Sequence, residues 1–250
     1  MDNLKRIWML AILSLYGCQK LFPPPKECEI NLHPKDAYDY PIVPGTPEWI
    51  ALSSGDEMFA VTQVPVKEAK KMSTDGLIQT WMTYPLNGDI GATNDWPRTM
   101  EYFKKRFNPL HELITRRDAG CKLLERYKLF DIREFNGPGD LLAIVALSCD
   151  FNVLDKMRDD QRYSLIREGL TKHYVMFEYP KLYSLATMEF NLWVCARVMK
   201  YLKYQPFLDD IGKSEDLWLF VETGHMQVYL TYDSFEVQSV IRRASELINY

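Results

Sequence analysis

Beyond residue 47 the apolar positions of this chain fall three or four apart, the spacing that stacks side chains along one face of an α-helix. Ser73 and Thr74 offer N-cap oxygens, and Asp75 sits in the first turn, where a negative charge suits the helix dipole. Leu77, Ile78, Trp81 and Met82 then share a face, and Pro85 closes the helix by pushing Tyr84 out of the α region. After the polar turn NGDIGATND, residues 97–107 predict a helix with Met100, Phe103 and Phe107 inward and Lys104, Lys105 and Arg106 mostly outward. Asn108 is expected to cap the next, with Pro109 at its first position, where a missing N–H costs least. Leu110, Leu113 and Ile114 form its stripe, and Asp118 starts another that carries Cys121, Leu124 and Tyr127.

The run DLLAIVALSCDF, residues 140–151, is apolar on nearly every side. A helix without a polar face is one that other helices surround, so this segment is the predicted centre of the fold. Further helices are expected over residues 162–179, 182–202, 215–230 and 234–249. Only residues 217–222 and 226–232, rich in Val, Tyr and Phe, also fit strands. The expectation is an all-α domain over residues 48–250, built of packed helical hairpins as an irregular helical bundle or a short α–α superhelix.

The chain ahead of it has a different pattern. Lys5 and Arg6 precede an apolar run from Ile7 to Tyr16, the charged and hydrophobic parts of an export signal. That run is about half of the roughly 20 residues a membrane span requires. Leu15, Gly17 and Cys18 follow in a spacing that resembles the lipobox of bacterial lipoproteins, with Tyr16 in place of the usual small residue. The resemblance implies cleavage of residues 1–17 and attachment of acyl chains such as palmitate to Cys18, which holds a chain on a membrane with no spanning helix. No Asp follows Cys18, which by the same resemblance favours the outer membrane. Gln19 and Lys20 match the start of a surface-export signal, but Leu21 and Phe22 stand where its acidic residues belong, so the face of the membrane stays open.

Residues 18–47 hold seven of the fourteen prolines and read as an extended tether. Tyr38, Tyr40, Ile42 and Val43 are apolar enough to lie along the domain as an ordered strap instead. Without residues 1–17 the formal net charge is about −5, which excludes a nucleic-acid binder by charge. Cys121, Cys149 and Cys195 lie among apolar helical neighbours and read as small buried hydrophobes. An oxidising compartment permits a disulfide, but with Cys28 also present the spacings assign none.

KMSTDGLIQTWMTYPL (residues 71–86) and RFNPLHELITRRDAGCKLLERY (residues 106–127), with PIVPGTPEW ahead of them, resemble a group of exported proteins and lipoproteins, mostly from Bacteroidetes. The shared cores are M-S-T-x-x-L-I-x-T-x-x-x-Y-P-L and F-N-x-L-x-E-L-x-x-R-x-D-A. Between them NGDIGATNDWP departs from the more apolar, aromatic helix of that group. The resemblance implies export and a helical fold, and it carries no established activity.

Catalytic signals are sparse. There is no Gly-rich phosphate loop, GxSxG elbow or CxxC, and no cofactor is assigned. His111 and Glu112 begin like a zinc-protease motif, but Thr115 stands where the second histidine belongs, so no metal site is assigned. A cysteine nucleophile needs exposure beside a base, against the apolar context of all three helical cysteines. Asn108, Glu112, Arg116, Arg117 and Asp118 cluster at a helix junction as a candidate recognition patch, although capping and surface ion pairs explain the cluster more readily. Trp81, Trp96, Tyr102 and Phe103 are candidates for a groove taking peptide or glycan, or for plain core. Together these point to an envelope lipoprotein whose helical domain binds a protein partner without catalysis. The alternative is a hydrolase acting on peptides or glycans.

Overall fold

The computed structural model describes residues 28–133, 138–179, 181–183, 185–225 and 233–249. Cys18, the export signal and the possible strand at residues 226–232 lie outside them. Among the described residues there is no strand, and no helix is long and apolar enough to cross a membrane.

Three short helices lead in: α1 (Pro47–Ile50), α2 (Gly55–Val61) and α3 (Val66–Ala69). Thr46 and Ser54 cap the first two through their side-chain oxygens. α4 (Thr74–Met82) starts at Ser73, whose hydroxyl accepts from the Gly76 N–H at 3.0 Å; Thr74 donates instead to Asp118. The polar turn winds into a 3-10 helix, Asn87–Ala92, which buries Ile90. α5 (Trp96–Arg106) and α6 (Asn108–Leu113) follow. Lys104 does not face outward: it is 5% exposed, because Asp150 arrives from a distant turn to pair with it at 2.6 Å. Asn108 does not cap α6 either, its amide being drawn to the Val64 carbonyl.

α7 (Ala119–Leu129) precedes α8 (Pro138–Ser148), in which residues 141–147 are all buried. α8 touches α4, α5, α7 and the 3-10 helix, as expected of the apolar centre. Trp81 donates its indole N–H to the Ala143 carbonyl at 3.1 Å, and Tyr84 stacks on Phe107 with ring centroids 4.0 Å apart.

α9 (Phe151–Leu154) is a single turn, and the two longest helices come next, α10 (Asp159–Glu178) and α11 (Leu185–Tyr201). They pack more extensively on each other than any other pair. Gly169 is the reason they approach so closely: a Cβ there would lie 2.9 Å from both the Asn191 carbonyl oxygen and the Cys195 sulfur. α12 (Gln205–Ile211) was not legible in the apolar pattern. α13 (Glu215–Thr223) is helix rather than strand and shorter than the expected 215–230 segment, because Gly224 takes a left-handed φ of 80° and ends it. α14 (Phe235–Ile248), capped by Ser234, packs across α10, α11 and α12. Its Arg242 and Arg243 both reach the buried Asp210 carboxylate of α12.

Residues 28–43 are not free of the domain. Cys28 is disulfide-bonded to Cys121 on α7, with Cα atoms 5.9 Å apart, so Cys121 is a cross-link and not simply a buried hydrophobe. Beyond it, the Asn31 N–H donates to Asp75, and Lys122 and Arg126 of α7 donate to the Glu29 and Asn31 carbonyls. Asp36 accepts from the Ser73 amide and hydroxyl, Tyr38 N–H donates to Thr80, and the Tyr40 hydroxyl donates to the Thr80 carbonyl. Alternation of polar backbone contacts with the inward Tyr40 holds the segment as a strap along α4 and α7.

Candidate binding surface

The predicted polar patch does converge at the α6–α7 junction, and most of its bonding capacity is turned inward. The Asn108 amide donates to Val64. Arg116 donates to the Lys70 and Met72 carbonyls, both at 3.1 Å, while pairing with Glu112 at 3.0 Å. Asp118 accepts the Thr74 hydroxyl at 2.7 Å. These bonds fasten the loops on either side of α3 to α6 and α4, and Arg117 is left exposed on the surface. The arrangement is a staple between segments, with little left over for a ligand.

A concave surface lies elsewhere, between α2, the 3-10 helix and α5. It encloses about 460 Å³, with Phe59, Tyr102 and Phe103 as its apolar lining and Asp89, Arg98 and Thr99 as polar neighbours. α2 stands at this position because Ser54 caps it and Glu57 reaches back to the Ser53 amide and hydroxyl. Tyr102 is 44% exposed, and Phe59 meets it edge-on with centroids 5.4 Å apart. The Arg106 guanidinium lies 4.3 Å from the centre of the Phe59 ring and 5.0 Å from that of Tyr102, and Asp56 pairs with it at 2.7 Å. Asp95 is occupied with capping α5 through the Arg98 N–H. Asp89 stands exposed at the edge of this groove, and the partial desolvation there raises its carboxyl above its ordinary value.

Of the four aromatic residues singled out in the sequence, Tyr102 and Phe103 line this groove, while Trp81 and Trp96 are buried in the core. Phe59 and Asp89 were missed. The pattern Ser54-x-x-Glu57 ahead of an apolar run was the available signal for α2; nothing local marks Asp89 as sharing a groove with Phe59.

For nucleophilic chemistry the thiols are poorly placed. Cys121 is spent in the disulfide, and Cys149 and Cys195 are buried, with burial pushing both thiols far up from their ordinary range. His111 is exposed beside Glu112, and among the described residues no three His, Cys, Asp or Glu side chains gather as metal ligands. What the groove offers is apolar contact area next to an exposed carboxylate. Compared with protein-family models, with curated proteins and with solved structures, the chain matches none.

Proposed function

We propose that the chain is an exported binding module, held on a membrane by acyl chains at Cys18, that offers the Phe59–Tyr102 groove to a protein partner without catalysing a reaction on it. The observation that carries this reading is the Cys28–Cys121 bond. Structural disulfides belong to oxidising compartments, which supports export. The bond also fastens the chain to the domain shortly after Cys18, so an anchor there would hold the domain close to the bilayer. By its lack of a following Asp, Cys18 favours the outer membrane.

The groove selects its partner by chemistry. The rings of Phe59 and Tyr102 favour an aromatic or long aliphatic side chain, and Asp89 favours a Lys or Arg beside it. Two experiments test the two halves of the proposal. In envelope fractionation the wild type is expected in the membrane fraction and Cys18→Ala in the soluble one; identical distribution of the two in the soluble fraction removes the anchor. In peptide titrations a Trp-Lys sequence is expected to bind more tightly than Trp-Glu, with Tyr102→Ala and Asp89→Asn each losing roughly five- to tenfold. Equal binding of both peptides, or no effect of Tyr102→Ala, removes the groove.

A further inference from the structure

The rings of the Phe59–Tyr102 groove are held in place. Phe103 backs them, 5.9 Å from Phe59 and 6.1 Å from Tyr102 between centroids, and is itself buried. Arg106 lies over both Phe59 and Tyr102, donates to the Tyr102 hydroxyl and is tied to Asp56. An aromatic wall fixed in this way loses little freedom when a partner lies on it. Asp89 and Arg98 stand exposed at the rim, and among the described residues neither side chain is engaged in an ion pair. The groove therefore suits an extended apolar segment that carries an aromatic ring and, close by, one charge of each sign.

The chain carries such a segment immediately ahead of the strap: KLFPPPKE, residues 20–27. Phe22 supplies the ring. Three consecutive prolines favour polyproline II, which presents apolar rings to an aromatic wall and has little backbone entropy to lose. Lys26 and Glu27 supply the charges, opposite in sign to Asp89 and Arg98 respectively. These charges fall short of the groove on their own copy. Cys28 is bonded to Cys121, and the residues after it are held at the first turn of α4: Asn31 donates to Asp75, and Lys122 joins the Glu29 carbonyl to the same carboxylate. The groove lies past the last turn of α4, against the 3-10 helix that follows. The nine residues of α4 alone rise about 14 Å, whereas two extended residues ahead of Cys28 span at most about 7 Å.

Resting on the groove as the binding surface, we propose that its occupant is residues 20–27 of a second copy of this chain, so that copies join head to tail. Phe22 lies against Tyr102 and Phe59, the prolines follow the wall, Lys26 meets Asp89 and Glu27 meets Arg98. The two surfaces in contact differ, so a pair of copies still has one groove and one segment unfilled, and association continues into larger species.

Sedimentation equilibrium of the full chain as Cys18→Ala, which can carry no acyl group at that position, tests the contact. The average mass is expected to rise with concentration past that of a dimer. Adding Phe22→Ala or Tyr102→Ala to that chain is expected to weaken association by at least roughly tenfold. An equimolar mixture of those two variants is expected to recover dimers and nothing larger, because one contributes an intact groove and the other an intact segment. A chain that stays monomeric, association that neither variant weakens, or a mixture that recovers no dimer overturns the proposal. The Trp-Lys peptide separates this failure from that of the groove itself: if it still binds and Tyr102→Ala still weakens it, only the second copy is removed as occupant. Loss of both removes the groove as well.

Discussion

The strap and the α10–α11 seam hold their parts of the molecule together by opposite means. The strap, residues 28–43, is joined to α4 and α7 by one covalent bond and a series of polar contacts, and Tyr40 is its one buried apolar side chain. The seam is close-packed: Leu165, Ile166 and Leu170 on one helix and Val194, Cys195 and Val198 on the other are all buried, around a glycine that lets the backbones approach. Polar contacts on a half-exposed segment exchange bonds to water for bonds within the protein, at a gain of only about 1 kcal/mol each. Apolar burial at the seam gains about 25 cal/mol per Å² and needs no cross-link. A disulfide is found where packing alone is too thin to order the chain.

The largest effect expected from that contrast is in the strap. The Cys28–Cys121 bond closes a separation of 93 residues, and in the chain-entropy account its loss costs about 4 to 5 kcal/mol. Urea unfolding of wild type with and without dithiothreitol, beside Cys28→Ser, measures it. Reductant should lower the wild-type midpoint and leave the variant unmoved; a wild-type change below about 1 kcal/mol would mean that polar contacts suffice.

The seam should respond to added volume. Gly169→Ala places a methyl 2.9 Å from the Asn191 oxygen and the Cys195 sulfur, and overpacking of that kind costs about 1 to 3 kcal/mol. Adding Cys195→Ala removes one of the two clashes, so the double variant should fall short of the sum of the two single losses in a thermodynamic cycle. Strict additivity would show that the seam yields rather than resists.

The last effect is a slope with pH. Glu189 on α11 is partly buried, and that burial raises its carboxyl from 4.5 to about 7. The folded chain then keeps a proton that the unfolded chain releases. Its contribution to stability is complete below about pH 4.5 and is lost as pH rises through about 7. Comparing urea midpoints at pH 5 and pH 8, Glu189→Gln should flatten the fall seen in wild type; parallel profiles would place the proton elsewhere.

Helices were legible wherever burial followed the local period. The apolar run of residues 140–151 announced the central helix, and Ser73, Ser234 and Pro85 marked ends that the structure keeps within a residue or two. The errors cluster where a residue distant in sequence supplies the partner. Lys104 reads as outward until Asp150 reaches it, and Asn108 reads as a cap until Val64 offers a carbonyl. Arg116 and Asp118 read more readily as structure than as a recognition patch, and their bonds to residues 70–74 are what turn them inward. Gly224 was visible as a letter, but the lack of room for any side chain there comes from Trp96, whose ring a Cβ would strike.

From the sequence alone come the helical class, the central helix, the break in character at residue 47 and the export-like start, because each is written in neighbouring residues through periodicity and charge. The tertiary structure alone decides which cysteines are bonded, which cations are satisfied and where hollows remain. Those depend on the distance between segments that the chain leaves dozens of residues apart, and no local period encodes it.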